Sequence, residues 1–339
     1  MKLVFLRNTI FSIVLLVASH SYADDRAESS DTIEQNKACN HVITDTDDKL
    51  LNFRNNTHAT LCRTVKSIDN WFGDRYQFDS ENFGGKLVFG FRQDEETGFD
   101  PKLRIRLSAK LPNASQKLNT FIGRTDDEAY IRDKKLSGID GLANDLSNED
   151  AKWLIGLGYR NPNKQGFDTS LGAKFSSGLK PYVKLRYRYF KEWERSAAGM
   201  TQTIFWEKED GYGTTSNLIF DYNINNVYLA TFAAEATILK DTEFWENAAS
   251  TTLFKKLAPQ TGIALRTYIK HQSGENSLVD VPEYGISIGY RKPFLKPWLI
   301  LNTRLENRWV HDENDQPRES YAKIGMQLEM EFGKYNKDR

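Results

Sequence analysis

Hydrophobic and polar residues alternate along most of this chain. Between Lys102 and Leu111, the apolar Leu103, Ile105, Leu107, Ala109 and Leu111 are interleaved with Lys102, Arg104, Arg106, Ser108 and Lys110. An extended segment with that order has one wholly apolar face and one that is nearly all cationic. Lys86 to Arg92 repeats the scheme, with Leu87, Phe89 and Phe91 on one side. Segments of the same period follow at 117–124, 152–160, 167–176, 181–191, 200–208, 212–222, 226–237, 245–256, 260–271, 283–292, 297–308 and 319–332. Each has about ten residues, the length that crosses a bilayer when tilted. Together they predict about fourteen strands, with 12–16 allowed by the pattern.

One sheet with a solvated face would alternate in the same way. Repetition on this scale better suits a closed wall with lipid outside and water inside, a transmembrane antiparallel β-barrel over residues 81–339. The connections carry their own asymmetry. Pro112-Asn113-Ala114-Ser115, Asn161-Pro162-Asn163-Lys164, Asn223-Ile224-Asn225-Asn226, Leu257-Ala258-Pro259-Gln260 and Phe294-Leu295-Lys296-Pro297 are short and turn-like. Between them lie longer, charged stretches at 125–151, 272–282 and 310–318, as expected of periplasmic turns and outer loops. Two connections break the rule: 192–199 is long for a turn and 177–180 is short for a loop. An even strand number puts both termini in the periplasm. Aromatic residues such as Trp153, Tyr189, Trp206, Tyr222, Trp245 and Trp309 fall near strand ends, where an interface favours them.

Before the alternation the period is helical. From His58 to Asp74, Leu61, Val65, Ile68, Trp71 and Phe72 share one side of a helix, and Gly73 is a natural stop. Residues 24–80 therefore read as a periplasmic segment with an amphipathic helix. That helix could lie on the membrane surface, plug the barrel or pack beneath it as a plain lid. Residues 1–23 read as a signal peptide: Lys2 and Arg7, an apolar Ile10–Ala18, then Ser21-Tyr22-Ala23 before Asp24.

Composition sharpens this picture. No later apolar run is long enough for a membrane-crossing helix, and the chain is 39% hydrophobic and 27% charged, which excludes a helical bundle in lipid but not a barrel. Lys plus Arg and Asp plus Glu balance at 46 each, so no nucleic-acid partner is expected. Cys39 and Cys62 are the only cysteines, and an exported pair reads as a disulfide. His41 and His58 lie close enough in sequence to complete a four-ligand zinc set, but thiolate zinc sites are uncommon in oxidising compartments, and no metal is expected.

Lys323-Ile324-Gly325-Met326-Gln327-Leu328-Glu329-Met330 resembles the β-signal of outer-membrane proteins, with Phe332 in phase as the terminal aromatic. The departure is the tail from Gly333 to Arg339. The resemblance implies recognition of Lys323, Gly325, Leu328, Met330 and Phe332 by the barrel-assembly machinery. Pro181 to Tyr189, Thr201 to Trp206, Asp210 to Thr215 and Tyr284 to Arg291, with Trp71-Phe72-Gly73-Asp74, resemble a family of uncharacterised proteobacterial outer-membrane proteins. That likeness implies location and fold and carries no activity.

If the apolar faces meet lipid, Arg104, Arg106, Lys184, Arg186, Arg188, Arg266, Lys270, Glu235, Glu329 and Glu331 point inward. Fixed charge around a watery pore selects ions. Alternatively these charges pair and fill the lumen, which would make the barrel a non-conducting anchor or a platform for an envelope partner docking through 24–80. An outer-membrane hydrolase would need a base, and the barrel offers only His271 and His311, with Ser273, Asp312 and Asp315 nearby in sequence. No Gly-x-Ser-x-Gly, HExxH or phosphate-cradling loop is present, so neither an enzyme nor a cofactor is expected.

Overall fold

A computed structural model describes Cys39 and residues 48–70, 83–110, 118–126, 128–134, 151–159, 161, 165–175, 178–240, 244–273, 281–311 and 317–333. Among the described residues, helix α1 (Lys49–Asn70) precedes fourteen strands. These are β1 (Phe83–Asp94), β2 (Gly98–Lys110), β3 (Leu118–Asp126), β4 (Ala151–Tyr159), β5 (Gly166–Phe175), β6 (Leu179–Glu192) and β7 (Ser196–Glu207). The series continues with β8 (Gly211–Asn223), β9 (Tyr228–Leu239), β10 (Phe244–Ala258), β11 (Thr261–Ser273), β12 (Glu283–Phe294), β13 (Lys296–Val310) and β14 (Glu319–Gly333). Each strand pairs antiparallel with its sequence neighbours, and β14 returns to β1, from Gly84↔Gly333 to Asp94↔Lys323. Closure leaves no edge with unpaired backbone groups, which hydrocarbon could not satisfy.

The alternation read in the sequence is the pleat of this wall. Phe89, Leu103, Ile204, Leu218, Leu265, Ile288, Leu305 and Ile324 are exposed on the outside, while Arg104, Gln327 and Glu329 are buried inside. The chain is thus a transmembrane antiparallel β-barrel with an apolar outer band and a polar interior. One end has tight turns, 193–195, 224–227, 259–260 and Leu295 alone; the other carries the long connections between β3 and β4, β11 and β12, and β13 and β14. The suspect stretch 192–199 is mostly strand, because β6 runs to Glu192 and β7 begins at Ser196, so its turn is only Trp193 to Arg195. Pro293 sits at a register shift beside the β12–β13 turn, the kind of strand irregularity to which proline is confined.

The helix begins nine residues before the predicted start, at Lys49 in place of His58. Asp48 caps it: its Oδ1 accepts from the N–H groups of Leu50 and Leu51 at 3.1 and 3.2 Å. Asn52 and the polar run Arg54 to Thr57 interrupt the apolar pattern there, with only Phe53 between them. Trp71, Phe72 and Gly73 lie outside the described residues, as do the leader at 1–23, His41, and Pro112 to Ser115.

The position of α1 follows from register. Phe83 pairs with Ala109, Gly85 with Phe332, and Leu87 with Met330, all on the outward set of the seam strands. Yet Phe83, Ala109, Met330 and Phe332 are buried, because Cys62 and Val65 of α1, with Cys39, pack over them. The helix covers the outside of the barrel at the turn end of the β1–β14 seam; the helical residues described here do not plug the lumen. Cys39 and Cys62 are disulfide-bonded, so they offer no thiolates to zinc. Arg54 Nε donates to the Glu331 carbonyl at 3.0 Å and its guanidinium lies 5.3 Å from the Trp298 ring centre.

The candidate site inside the barrel

The long β3–β4 connection sends residues 128–134 into the barrel. Glu128–Arg132 forms a single π-helical turn. Its apolar residues enter a small cluster inside the loop-end half: Ile131 is buried with Phe121, Leu154, Tyr182 and Phe205, and Tyr130 stacks on Phe121 with ring centres 4.1 Å apart. Glycines make room for the rings. A Cβ at Gly156 or Gly172 would lie 2.4 or 2.6 Å from the Tyr182 hydroxyl.

Every charged residue of this segment meets the wall or its own turn. Arg132 Nε pairs with Glu207 Oε1 at 2.6 Å, and the same guanidinium holds Asp210 and Glu128. Lys174 Nζ reaches the other Glu207 oxygen at 3.0 Å. Asp133 accepts from Arg186 Nη1 at 3.1 Å and from the Thr203 hydroxyl at 2.6 Å, with Lys184 Nζ 3.5 Å away. Asn217 Nδ2 donates to the Asp133 carbonyl at 2.8 Å. Lys134 Nζ bridges Glu246 at 2.7 Å and Glu128 at 3.1 Å. Asp168, opposite Arg186 in register, holds Arg186 and Arg188 at 3.0 and 2.8 Å. Lys184, Arg186 and Arg188, read from sequence as inward cations, therefore converge on two aspartates, one of them in the infolded segment.

The wall on the seam side, β11 to β14 with β1 and β2, has a different character. Its inward positions include Lys86, Arg92, Lys102, Arg104, Arg106, Arg266, Arg291 and Arg304, together with Asp100, Glu306, Glu329 and Glu331. Glu329 lies between Lys86 and Arg291, each at 3.0 Å, and also accepts from Gln327 Nε2 at 3.1 Å. Arg304 pairs with Glu306 at 2.6 Å, and the Tyr268 hydroxyl donates to the second Glu306 oxygen at 2.9 Å. Arg266 lies 5.4 Å from the Tyr268 ring centre. Arg92 and Lys102 share Asp100, and Arg106 Nε donates to Thr125 at 3.1 Å. Arg104 is 2% exposed and Glu329 0%. Glu235 is buried on β9, Lys270 pairs with Glu283 at 3.0 Å toward the loop end, and Glu331 is half-buried near α1.

The sequence candidates for inward charge omit Lys86, Arg92, Arg291, Arg304 and Glu306, although the same alternation marks them, while Lys102 already stood on the cationic face of its segment. It could not have found Arg132 or Asp133, because nothing in a charged connection shows that it folds inward. On β14, Leu328, Met330 and Phe332 face outward, Lys323 pairs with Asp94 at 3.3 Å, and Gly325 stands between Arg92 and Arg304 in register. Among the described residues no side-chain hydrogen bond joins His271 or His311 to Ser273, and Asp312 and Asp315 lie outside them. Among the described residues no group of acidic, histidine or cysteine side chains could hold a metal.

No protein-family model matches the chain, and no curated protein matches it in sequence. Solved structures similar to the chain include OmpT of Vibrio cholerae, at 11% identity and TM-score 0.43, over 74% of this chain and 97% of that one. An anion-selective porin from Comamonas acidovorans aligns at 11% identity and TM-score 0.42, over 74% and 98%. The KdgM porin aligns at 6% identity and TM-score 0.36, over 73% and 99%. At these values the likeness carries no argument about activity.

Proposed function

We propose that this barrel is an outer-membrane channel for ions or small solutes, with a narrow charged lumen that prefers anions. The observation that carries the reading is the seam-side wall across from the infolded segment 128–134, where the inward cations Lys86, Arg92, Lys102, Arg104, Arg106, Arg266, Arg291 and Arg304, joined by Lys270, Arg308 and Lys323, outnumber the inward carboxylates Asp94, Asp100, Glu283, Glu306, Glu329 and Glu331. Excess cationic charge in a confined polar space attracts and selects anions. A passing anion can take the place of a carboxylate partner, so the ion pairs that narrow the path also supply its binding steps. In this reading both termini face the periplasm, the tight turns lie there, and the β14 signal residues serve assembly.

Planar-bilayer recording of the refolded barrel tests this. Anion-selective conductance is expected, with selectivity falling or reversing in Arg104→Glu. Cation selectivity in the unaltered barrel would refute the anionic preference.

A second reading draws support from the burial of Arg104, Arg266, Arg304 and Glu329. Ion pairs that fill the lumen would make a non-conducting anchor or docking platform. Absence of conductance in both the full mature chain and a chain lacking residues 24–80 would favour it.

A further inference from the structure

The outward face carries a hollow far from the seam. It holds about 660 Å³ and crosses β7 to β11 between two rows of outward side chains. Register sets both rows. One runs from Met200 through Leu218, Ala234 and Ala249 to Ile269. The other runs from Ala198 through Phe220 and Phe232 to Thr251 and Thr267. Ala234, Ala249, Thr251 and Thr267 keep the relief low, and the wall's own backbone forms the floor. Four inter-strand steps make the hollow roughly 19 Å long at about 4.8 Å per strand.

The two rows continue onto β6 in a specific way. Tyr189 is the register partner of Met200, and Lys191 that of Ala198. Tyr189 thus lines the β6 end of the hollow, and Lys191 stands one strand beyond the lining Ala198, near the turn end of the wall. Lys191 is exposed, with its ammonium 5.3 Å from the ring centre of Trp193. Glu192 belongs to the inward set and does not face this opening. An apolar trough that begins at an interfacial cation flanked by aromatic rings matches a lipid with a negative headgroup.

We propose that this hollow is a binding site for an anionic phospholipid, with the phosphate at Lys191 and one acyl chain lying between the two side-chain rows. A long chain bends obliquely across the strands there, over alanine and threonine rather than against bulky side chains. The site is independent of whether the lumen conducts.

Delipidated, refolded barrel would be incubated with phosphatidylglycerol or with phosphatidylcholine of the same chains, and retained lipid counted by native mass spectrometry. The unaltered barrel is expected to retain phosphatidylglycerol over phosphatidylcholine by about fivefold, the effect of about one lysine near an anionic surface. Lys191→Glu should abolish that preference while leaving acyl-chain retention. Ala249→Trp should fill the trough and lose both lipids, and Ala234→Phe gives the same test should the first variant fail to fold. Equal retention by the unaltered barrel and by a folded, filled variant would overturn the site. A filled variant that changes from oligomer to monomer with no change in lipid would assign the hollow to a second copy of the chain instead.

Discussion

Two short elements depart from the barrel wall, and they are held by opposite means. Segment 128–134 lies inside, where the wall is polar; Arg132, Asp133 and Lys134 are each fixed by charge-assisted bonds, with a small aromatic cluster beside them. Helix α1 lies outside over the seam, where the wall is apolar; it is fixed mainly by buried side chains, including the Cys39–Cys62 disulfide that packs on the wall, with Arg54 on the Glu331 carbonyl and Asp48 paired with Lys296 at its start. Each element uses the forces that its side of the wall makes strong. Ion pairs gain strength in a confined interior but cost much if one member is lost. Against a lipid-facing wall, shape and apolar contact are the available terms, and a covalent link removes the entropy of an undocked segment.

That contrast orders three tests. The largest expected effect is at the inner latch. Arg132→Ala leaves Glu207 buried with only Lys174, and breaking such a pair costs about 3–5 kcal/mol. Urea unfolding of the refolded barrel should show the loss, and Arg132→Lys should recover only part because a lysine cannot match the guanidinium fork. A shift no larger than that of a surface substitution would mean that the aromatic cluster holds the segment.

Next comes the outer latch. Cys62→Ser removes a link closing 23 positions of chain, and about 3 kcal/mol of docking stability should go with it. Hydrogen exchange should rise across residues 48–70 and stay unchanged in β7 to β11. Exchange rising evenly around the barrel would show instead that the helix supports the whole wall.

The smallest effect concerns pH. His58 is 4% exposed between Phe83 and Phe332, and among the described residues neither ring nitrogen has a hydrogen-bond partner. Burial, and then the charge of Arg54, hold its pKa below the ordinary histidine value. The undocked imidazole takes up a proton that the docked one resists, so docking is strongest above about pH 6.5 and weakens as pH falls below it. Exchange in α1 should therefore rise on acidification, and His58→Phe should flatten that dependence. A slope that survives the substitution would place the titrating group elsewhere.

Much of the architecture was legible because a membrane wall imposes period two on every strand. Fourteen segments read from alternation correspond to fourteen strands, the segments at 117–124 and 167–176 being β3 and β5. The inward side of Arg104, Lys184, Arg186 and Glu329 followed from the same periodicity. The helix was visible only from its apolar second half, since its capped first half is too polar to show an apolar stripe.

Sequence alone thus determined a barrel wall, its two faces and the residues of each face, because lipid on one side and polar interior on the other act residue by residue. Only the tertiary structure decided which charges meet. Asp133 reaches Arg186 from 53 positions away, and Arg132 reaches Glu207 from 75. It also decided that α1 clads the seam, since an amphipathic helix fits any apolar surface, and only closure of β14 on β1 creates the surface that this one covers.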